Sequence, residues 1–444
     1  MSKQLELADL LVQKALQRGA DAADAMVSEG VSLSAGSRLG NIEDLERAEA
    51  MELGLRAIIG TKQAFISGSG ITPDGLDAIA ERAVEMARLA PDDPFCGLAD
   101  KDLLTGDFPD LDICDPNEPD MEQLQKLAEA TEAHAREVEG ITNSEGAGAG
   151  WSHGKTGLVT SHGFSGSYAA TSWSLSCAVL GGAGDAMERD YASHSARHFA
   201  DLDTPEEVGL RAAERTLERL NPRKIESTKV PVLFNPRVSS SLLGHFSGAV
   251  SGSSVARGTS FLKDMMDQQV FAKGIRIVDD PLRKRGLRSV SFDGEGVGAQ
   301  ALTLVEDGIL KSWVLETSSA KQLGMKSNGR AARGMGGPPH PSVTNLHIEA
   351  GDLTPEALMR QIGTGLLVTE LIGMGVNGVT GDYSRGAAGM WIENGEPAFP
   401  VSEITIAGNL KDMFLTMTPA SDLTFRRGIN APSLLIEEMS LAGL

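Results

Sequence analysis

The chain has 444 residues, 41% of them apolar and 23% charged, which excludes a disordered polymer and exceeds what one ordinary hydrophobic core holds. Forty Lys and Arg stand against 61 Asp and Glu, a net charge of −21, which argues against nucleic-acid binding through a broad cationic surface. The three cysteines, Cys96, Cys114 and Cys177, give neither a disulfide framework nor a CxxC metal pair, and no run of about 18 apolar residues occurs to span a membrane. The opening MSKQLELADLLVQKALQRG carries charges throughout and reads as an amphipathic helix, not a secretory leader. These features point to a reducing, cytoplasmic setting.

Residues 4–18 place Leu7, Leu10, Leu11 and Ala15 on one helical stripe, which Gly19 ends. Strand-like pieces follow at 25–28, 32–34, 51–59 and 63–67, the last two joined as a hairpin at Gly60. Thr72 and Pro73 cap and open a helix whose inward residues are Ile79, Ala83, Met86 and Ala87. The Pro- and Asp-rich stretch 91–120 reads as an irregular connection. A helix is predicted from Met121 to Val138, then glycine-broken strands over 141–193 with one face wet. Thr204-Pro205-Glu206-Glu207 is a capping box that opens a helix to Leu220. Beyond Asn221-Pro222-Arg223 the chain is glycine-punctuated β structure, with helices predicted over 236–250 and 354–374 and strands at 404–407 and 433–436. The fold class is therefore α+β. The division is an N-terminal α/β domain (1–115), a middle sheet-plus-helix domain (116–225) and a large β-rich C-terminal domain (226–444), barrel-like or a mixed sheet.

A zinc hydrolase needs two or three His, Asp, Glu or Cys ligands and a positioned base. No HExxH occurs. His194 and His198 are four apart, but the polar run around Tyr191 reads as strand or turn, where that spacing separates them by about 13 Å. Ser253-Ser254 and Ser318-Ser319 lie in no GxSxG elbow. The glycine run at 294–298 precedes a strand and not a helix, so it reads as a turn or bulge, not a dinucleotide loop. Asp279-Asp280-Pro281 and Asp293/Glu295 read as surface acidity, and Arg283-Lys284-Arg285 with Arg288 as a solvated turn. The run GRAARGMGGPPHP at 329–341, with Arg330, Arg333 and His340, is expected to lack regular structure, as a lid or substrate-facing loop or a merely exposed one.

A strand VPVLF leads into NPRVSSSLLGHFSGAVSGSSVARGTS at 235–260. RIVDDP, SFDGEGVGAQ, NGRA, PSVTNLHIEAG, LLVTELIGMGVNGVTGDYSRGAAGMWIENGE and PVSEITIAGNLKDM follow in that order. This series resembles the PmbA (TldE) branch of the TldD/PmbA family; the first 220 residues agree more loosely. The resemblance implies a metallopeptidase system in which TldD-type chains carry HExxxH and a C-terminal cysteine and bind zinc. PmbA-type chains share the fold and lack these ligands, and the two pair into a hollow heterodimer that cleaves small unfolded peptides. Laid on the motif, Gly244 and Ala249 fall at the two histidines and His245 at the glutamate, and Thr418–Asp422 holds no cysteine. The resemblance thus implies no cofactor in this chain, zinc in a TldD-type partner, and a non-catalytic subunit. The description "modulator of DNA gyrase" also attaches to the family, and the acidic composition lends it no support.

Three readings stand open. The chain is such a subunit, or a homodimeric peptidase with its own site around His245, or a non-catalytic peptide-binding or gyrase-modulating factor. In the first, His245, Arg330, Arg333, His340, Tyr383 and Arg385 line a chamber where an extended peptide adds to a strand edge.

Overall fold

The computed structural model describes residues 2–69 and 73–443, so the expected cap Thr72 lies outside it. Helix α1 (Lys3–Gln17) buries Ala8, Leu11, Val12 and Ala15; of the expected stripe Leu10 is 41% exposed and Leu7 only partly buried, and Gly19, at φ +97°, turns the chain out of it. The predicted fragments 25–28 and 32–34 are one 17-residue strand, β1 (Ala22–Arg38). It pairs with β2 (Asn41–Ile59) from Ala22↔Ile58 to Arg38↔Asn41. The first half of β2 was not predicted. Its residues are charged and exposed on both faces, so they show no alternation, and β1 alone holds them extended. Gly60, at φ +57°, makes the expected turn into β3 (Lys62–Ser69). Helix α2 (Pro73–Leu89) buries Leu76, Ala80, Ala83, Val84 and Ala87; Met86, expected inward, is off this stripe and 43% exposed.

Helix α3 (Met121–Arg136), strands β4 (Ile141–Thr160), β5 (Ser165–Gly181) and β6 (Glu188–Ala196), and helix α4 (Pro205–Glu218) follow. The capping box of α4 is present, with Thr204 and Glu207 bonding reciprocally. One antiparallel sheet, ordered β3-β2-β1-β4-β5-β6, runs through the strands of both the 1–115 and the 116–225 segments. Alternation along β1 sorts its faces. Ala23, Ala25, Val27, Leu33 and Ala35 pack under the four helices, while Asp24 and Met26 point the other way, at the C-terminal region.

That region opens with β7 (Thr228–Phe234) and α5 (Pro236–Ala249). Strand β7 runs parallel to Gly365–Val376 and antiparallel to Leu434–Ala442. Asp382–Glu393 and Glu396–Asn409 continue the sheet, and the pairing of Thr405–Ala407 with Ser440–Ala442 closes it into a five-stranded barrel. The helix predicted over 354–374 is corrected. It ends at Ile362, Gly363 turns at φ +68°, and Gly365–Val376 is a barrel strand. An apolar run has no period of its own here, and pairing with β7 decides its state. Val232, Phe234, Leu242, Phe246, Phe271 and Phe414 are fully buried in the C-terminal core. Among the described residues no helix is long and apolar enough to cross a membrane.

Candidate functional site

Helix α5 starts where Asn235 accepts a hydrogen bond from the Arg237 N–H and Pro236 takes the first helical position. Val238, Leu242, Leu243, Phe246 and Ala249 face the core. The opposite side is lined with small residues, and a Cβ placed on Gly244 or Gly248 would meet nothing within 4 Å. Between the two faces His245 is half-buried, 6.0 Å centroid to centroid from Tyr383 in an edge-on arrangement. His245 Nε2 and the Tyr383 hydroxyl are both buried without a hydrogen-bond partner among the described residues. Burial, then the positive charge of Arg385, hold the His245 pKa below the ordinary imidazole value. Burial pushes the Tyr383 phenol upward. Both shifts favour the neutral forms, buried side by side beneath the small-residue face of α5.

The structure thus brings His245, Tyr383 and Arg385 together. Arg330, Arg333 and His340 sit apart from them. Arg330 is fully buried against Asp279 and also donates to the backbone carbonyls of Gln300 and Asn328. Arg333 is buried in an ion pair with Asp24, which is also held by Arg56, at 2.8 Å through Nε. The 329–341 run is therefore not an open flap. Ala331–Ala332 pairs with His340–Pro341, and the backbone at Met335 presses so close to β2 that a Cβ on Gly54 would fall 2.2 Å from its carbonyl. His340 alone of these three is exposed.

Asp293 and Glu295, expected at the surface, are 5% and 3% exposed. Asp293 accepts from the N–H groups of Glu295, Val297 and Ala331, and Glu295 accepts from Thr317 N–H and hydroxyl. The reason is geometric: the glycine turn folds inward, Asp293 caps its amides and Glu295 caps that of Thr317. Burial raises both, Asp293 to about 6 and, with Asp293 beside it, Glu295 to about 7. The basic run is not simply solvated either. Arg285 bridges Asp112 and Asp201, and Arg283 lies over the Phe425 ring. His194 and His198 turn to different partners, Asp203 and the Asp112 backbone. Among the described residues no three His, Cys, Asp or Glu side chains converge as metal ligands would.

Sequence reasoning missed a cleft of about 620 Å³ at the N-terminus of α5, lined by Arg211, Arg215, Arg237, Arg288, Arg426 and Arg427. The local signal was the pair Arg426-Arg427; the other four come from distant segments.

A helix-backed sheet is thus joined to a barrel that carries a small-residue helix. Family models match in three consecutive parts: PmbA/TldA metallopeptidase domain 1 at 23–87, central domain at 114–220 and C-terminal domain at 227–443. The chain belongs to the PmbA/TldD family of metallopeptidases, in its PmbA (TldE) branch. It is 40% identical to metalloprotease PmbA of Escherichia coli O157:H7, over 95% of this chain and 92% of that one. It is 39% identical to the Haemophilus influenzae PmbA homologue, over 97% and 94%. A crystal structure from Bacteroides thetaiotaomicron, described as a candidate modulator of DNA gyrase, superposes with a TM-score of 0.92 at 26% identity over the whole of both chains. TldE of Thermococcus kodakarensis shares the fold, with a TM-score of 0.86 at 21% identity over 98% and 99%.

Proposed function

We propose that the chain is the PmbA/TldE-type, non-catalytic subunit of a cytoplasmic zinc metallopeptidase that degrades small unfolded peptides, with the zinc in a TldD-type partner. One observation carries this. Where HExxxH would sit, α5 presents Gly244 to open space, a lone His245, and Ala249 turned into the core at 5% exposure. A catalytic zinc needs about three protein ligands, and these residues do not fit one. The outer face of α5 with Arg385 then lines a chamber shared with the partner, and the likeness to a TldD homologue, 25% over 45% of this chain, supports a paired architecture. The test is zinc content of the purified chain and peptide turnover with and without a TldD-type chain. Zinc well below one per chain, with turnover only in the mixture, is expected; zinc near one per chain overturns it. The unpartnered His245–Tyr383 pair favours a second reading, a homodimer that cleaves peptides through His245. In that case the isolated chain turns peptide over and His245→Ala abolishes it.

A further inference from the structure

The arginine cleft lies where β6, α4, the first turn of α5 and the 422–431 segment meet. Asp203 pairs with Arg211 and Arg426, at 2.6 Å each, and Asp190 pairs with Arg237 at 2.6 Å. The other three arginines make no ion pair with a carboxylate among the described residues. Arg215 donates to the Tyr191 carbonyl, Arg427 to the Arg237 carbonyl, and the Arg288 guanidinium has no partner among the described residues. Asp422, the carboxylate in the lining, accepts from the Ser433 N–H and hydroxyl. The positive end of the α5 dipole points the same way. In a chain of net charge −21, this gathers cations at one place without the anions to match them.

We propose that this cleft binds a carboxylate of the peptide substrate, at its free C-terminus or on an acidic side chain. The proposal rests on reading the chain as a peptide-handling subunit. A guanidinium fork matches a planar carboxylate with two parallel hydrogen bonds. The acidic field of the whole chain repels a long polyanion but acts weakly on one charge at close range. The cleft also leads to the face already described. It shares Tyr191, Arg237, Arg288 and Arg427 with a second cleft of about 440 Å³ that passes Ser240, Ser241 and Arg385. Arg237 and Gly244 are separated along α5 by about 10 Å, the span of about three extended residues. A peptide anchored by its carboxylate would thus run along α5 past His245.

The test is fluorescence anisotropy with the full-length chain at low salt. The probes are N-terminally labelled pentaalanine as the free acid, its C-terminal amide, and an amide with one internal Glu. The free acid is expected to bind at least about tenfold more tightly than the amide, as one charge-assisted hydrogen bond supplies. Recovery by the Glu peptide would assign the side chain as the group held. Arg288→Met with Arg427→Met, both exposed, should bring the acid-to-amide ratio to about 1 without changing the circular dichroism spectrum. A wild-type ratio near 1 with the Glu peptide no tighter, an unchanged ratio in the double variant, or no binding of any probe overturns the proposal. So does displacement by inorganic phosphate without any preference for acid over amide, which would mark a phosphate site. Peptide turnover with a TldD-type chain is read in parallel. Turnover without discrimination removes the carboxylate site and leaves the subunit reading standing; discrimination without turnover does the reverse.

Discussion

Arginine is used in two ways in this molecule. At the seam between the N-terminal sheet and the C-terminal region, the buried guanidinium groups meet carboxylates. Asp24 takes Arg56 and Arg333, Asp279 takes Arg330, and backbone carbonyls fill the remaining Arg330 donors. At the cleft on α5, six arginines share two partnering carboxylates and three have none. A charge removed from water must be compensated inside the protein or it destabilises the fold. The buried groups are ion-paired: Arg330–Asp279 holds the C-terminal region to itself, and Arg333–Asp24 ties it to the sheet. The cleft is open and only half of its arginines have an ion-pair partner, so the remaining charges have water or a ligand as their partner. Arg56 stands directly opposite Asp24 in the β1–β2 register, so a local cross-strand pair supplies half of the seam, and the 329–341 segment supplies Arg333 from far away in sequence.

The comparison breaks first at Arg330. Arg330→Met leaves Asp279 buried with only Thr344 as a partner, through N–H at 2.7 Å and hydroxyl at 3.0 Å. The expected loss is about 3–5 kcal/mol, the range for removing one member of a buried pair. Urea unfolding of the variant checks it, and a loss under about 1 kcal/mol would mean the seam is no more structural than the cleft.

A smaller effect sharpens the seam. Glu295 lies near Arg56 but makes no ion pair with it among the described residues, and its pKa is raised to about 7 by burial and by Asp293. A carboxyl raised on folding contributes stability that is full below its unfolded value and is lost as pH rises through the folded one. The wild-type chain should therefore lose stability between about pH 5 and pH 8. In Glu295→Gln the acceptor for Thr317 is kept and the titration removed, so the loss over that window should shrink by on the order of 1 kcal/mol. Thermal melts across the window decide it: parallel curves for the two proteins would place the titration elsewhere.

Much of the fold was legible because its signals are local. The capping box at Thr204 and the turns at Gly19 and Gly60 each depend on residues within one turn of each other. Two strands were hidden. The exposed half of β2 buries no face and so shows no alternation, and 365–376 is apolar without a period. Their state is set by the strands they pair with. The site divides in the same way. His245 was visible because α5 was visible, and its companions Tyr383 and Arg385 come to it only when Asp382–Glu393 takes its place in the barrel. Asp293 and Glu295 read as surface acidity because sequence shows charge and not the backbone amides that charge will cap. The arginine cleft draws on four separated segments, and no spacing in one chain announces such a convergence.

The finest test of the two uses of arginine is Arg215→Met. Arg215 is held down to about 10, first by burial and then by Arg237 and Arg211 beside it. A cation whose folded pKa is lowered destabilises the fold at every pH below that value, and the part still open to water reduces the cost. Methionine keeps the stem and removes the repulsion. It gives up one hydrogen bond to Tyr191, 3.2 Å long, and one favourable neighbour of Glu218, whose carboxyl burial and Glu214 push upward while Arg215 holds it down. These terms nearly cancel, so the melting temperature should hold or rise, within about 0.5 kcal/mol. The contrast with Arg330 is then one of sign or at least of scale, for the same residue type in one chain. A carboxylate ligand adds a second readout, because binding to the native state alone raises its stability. The free-acid pentapeptide should lift the melting point of the wild type and lift the variant less. A loss above about 1 kcal/mol without ligand would place Arg215 among the structural arginines, and the difference between seam and cleft would no longer hold.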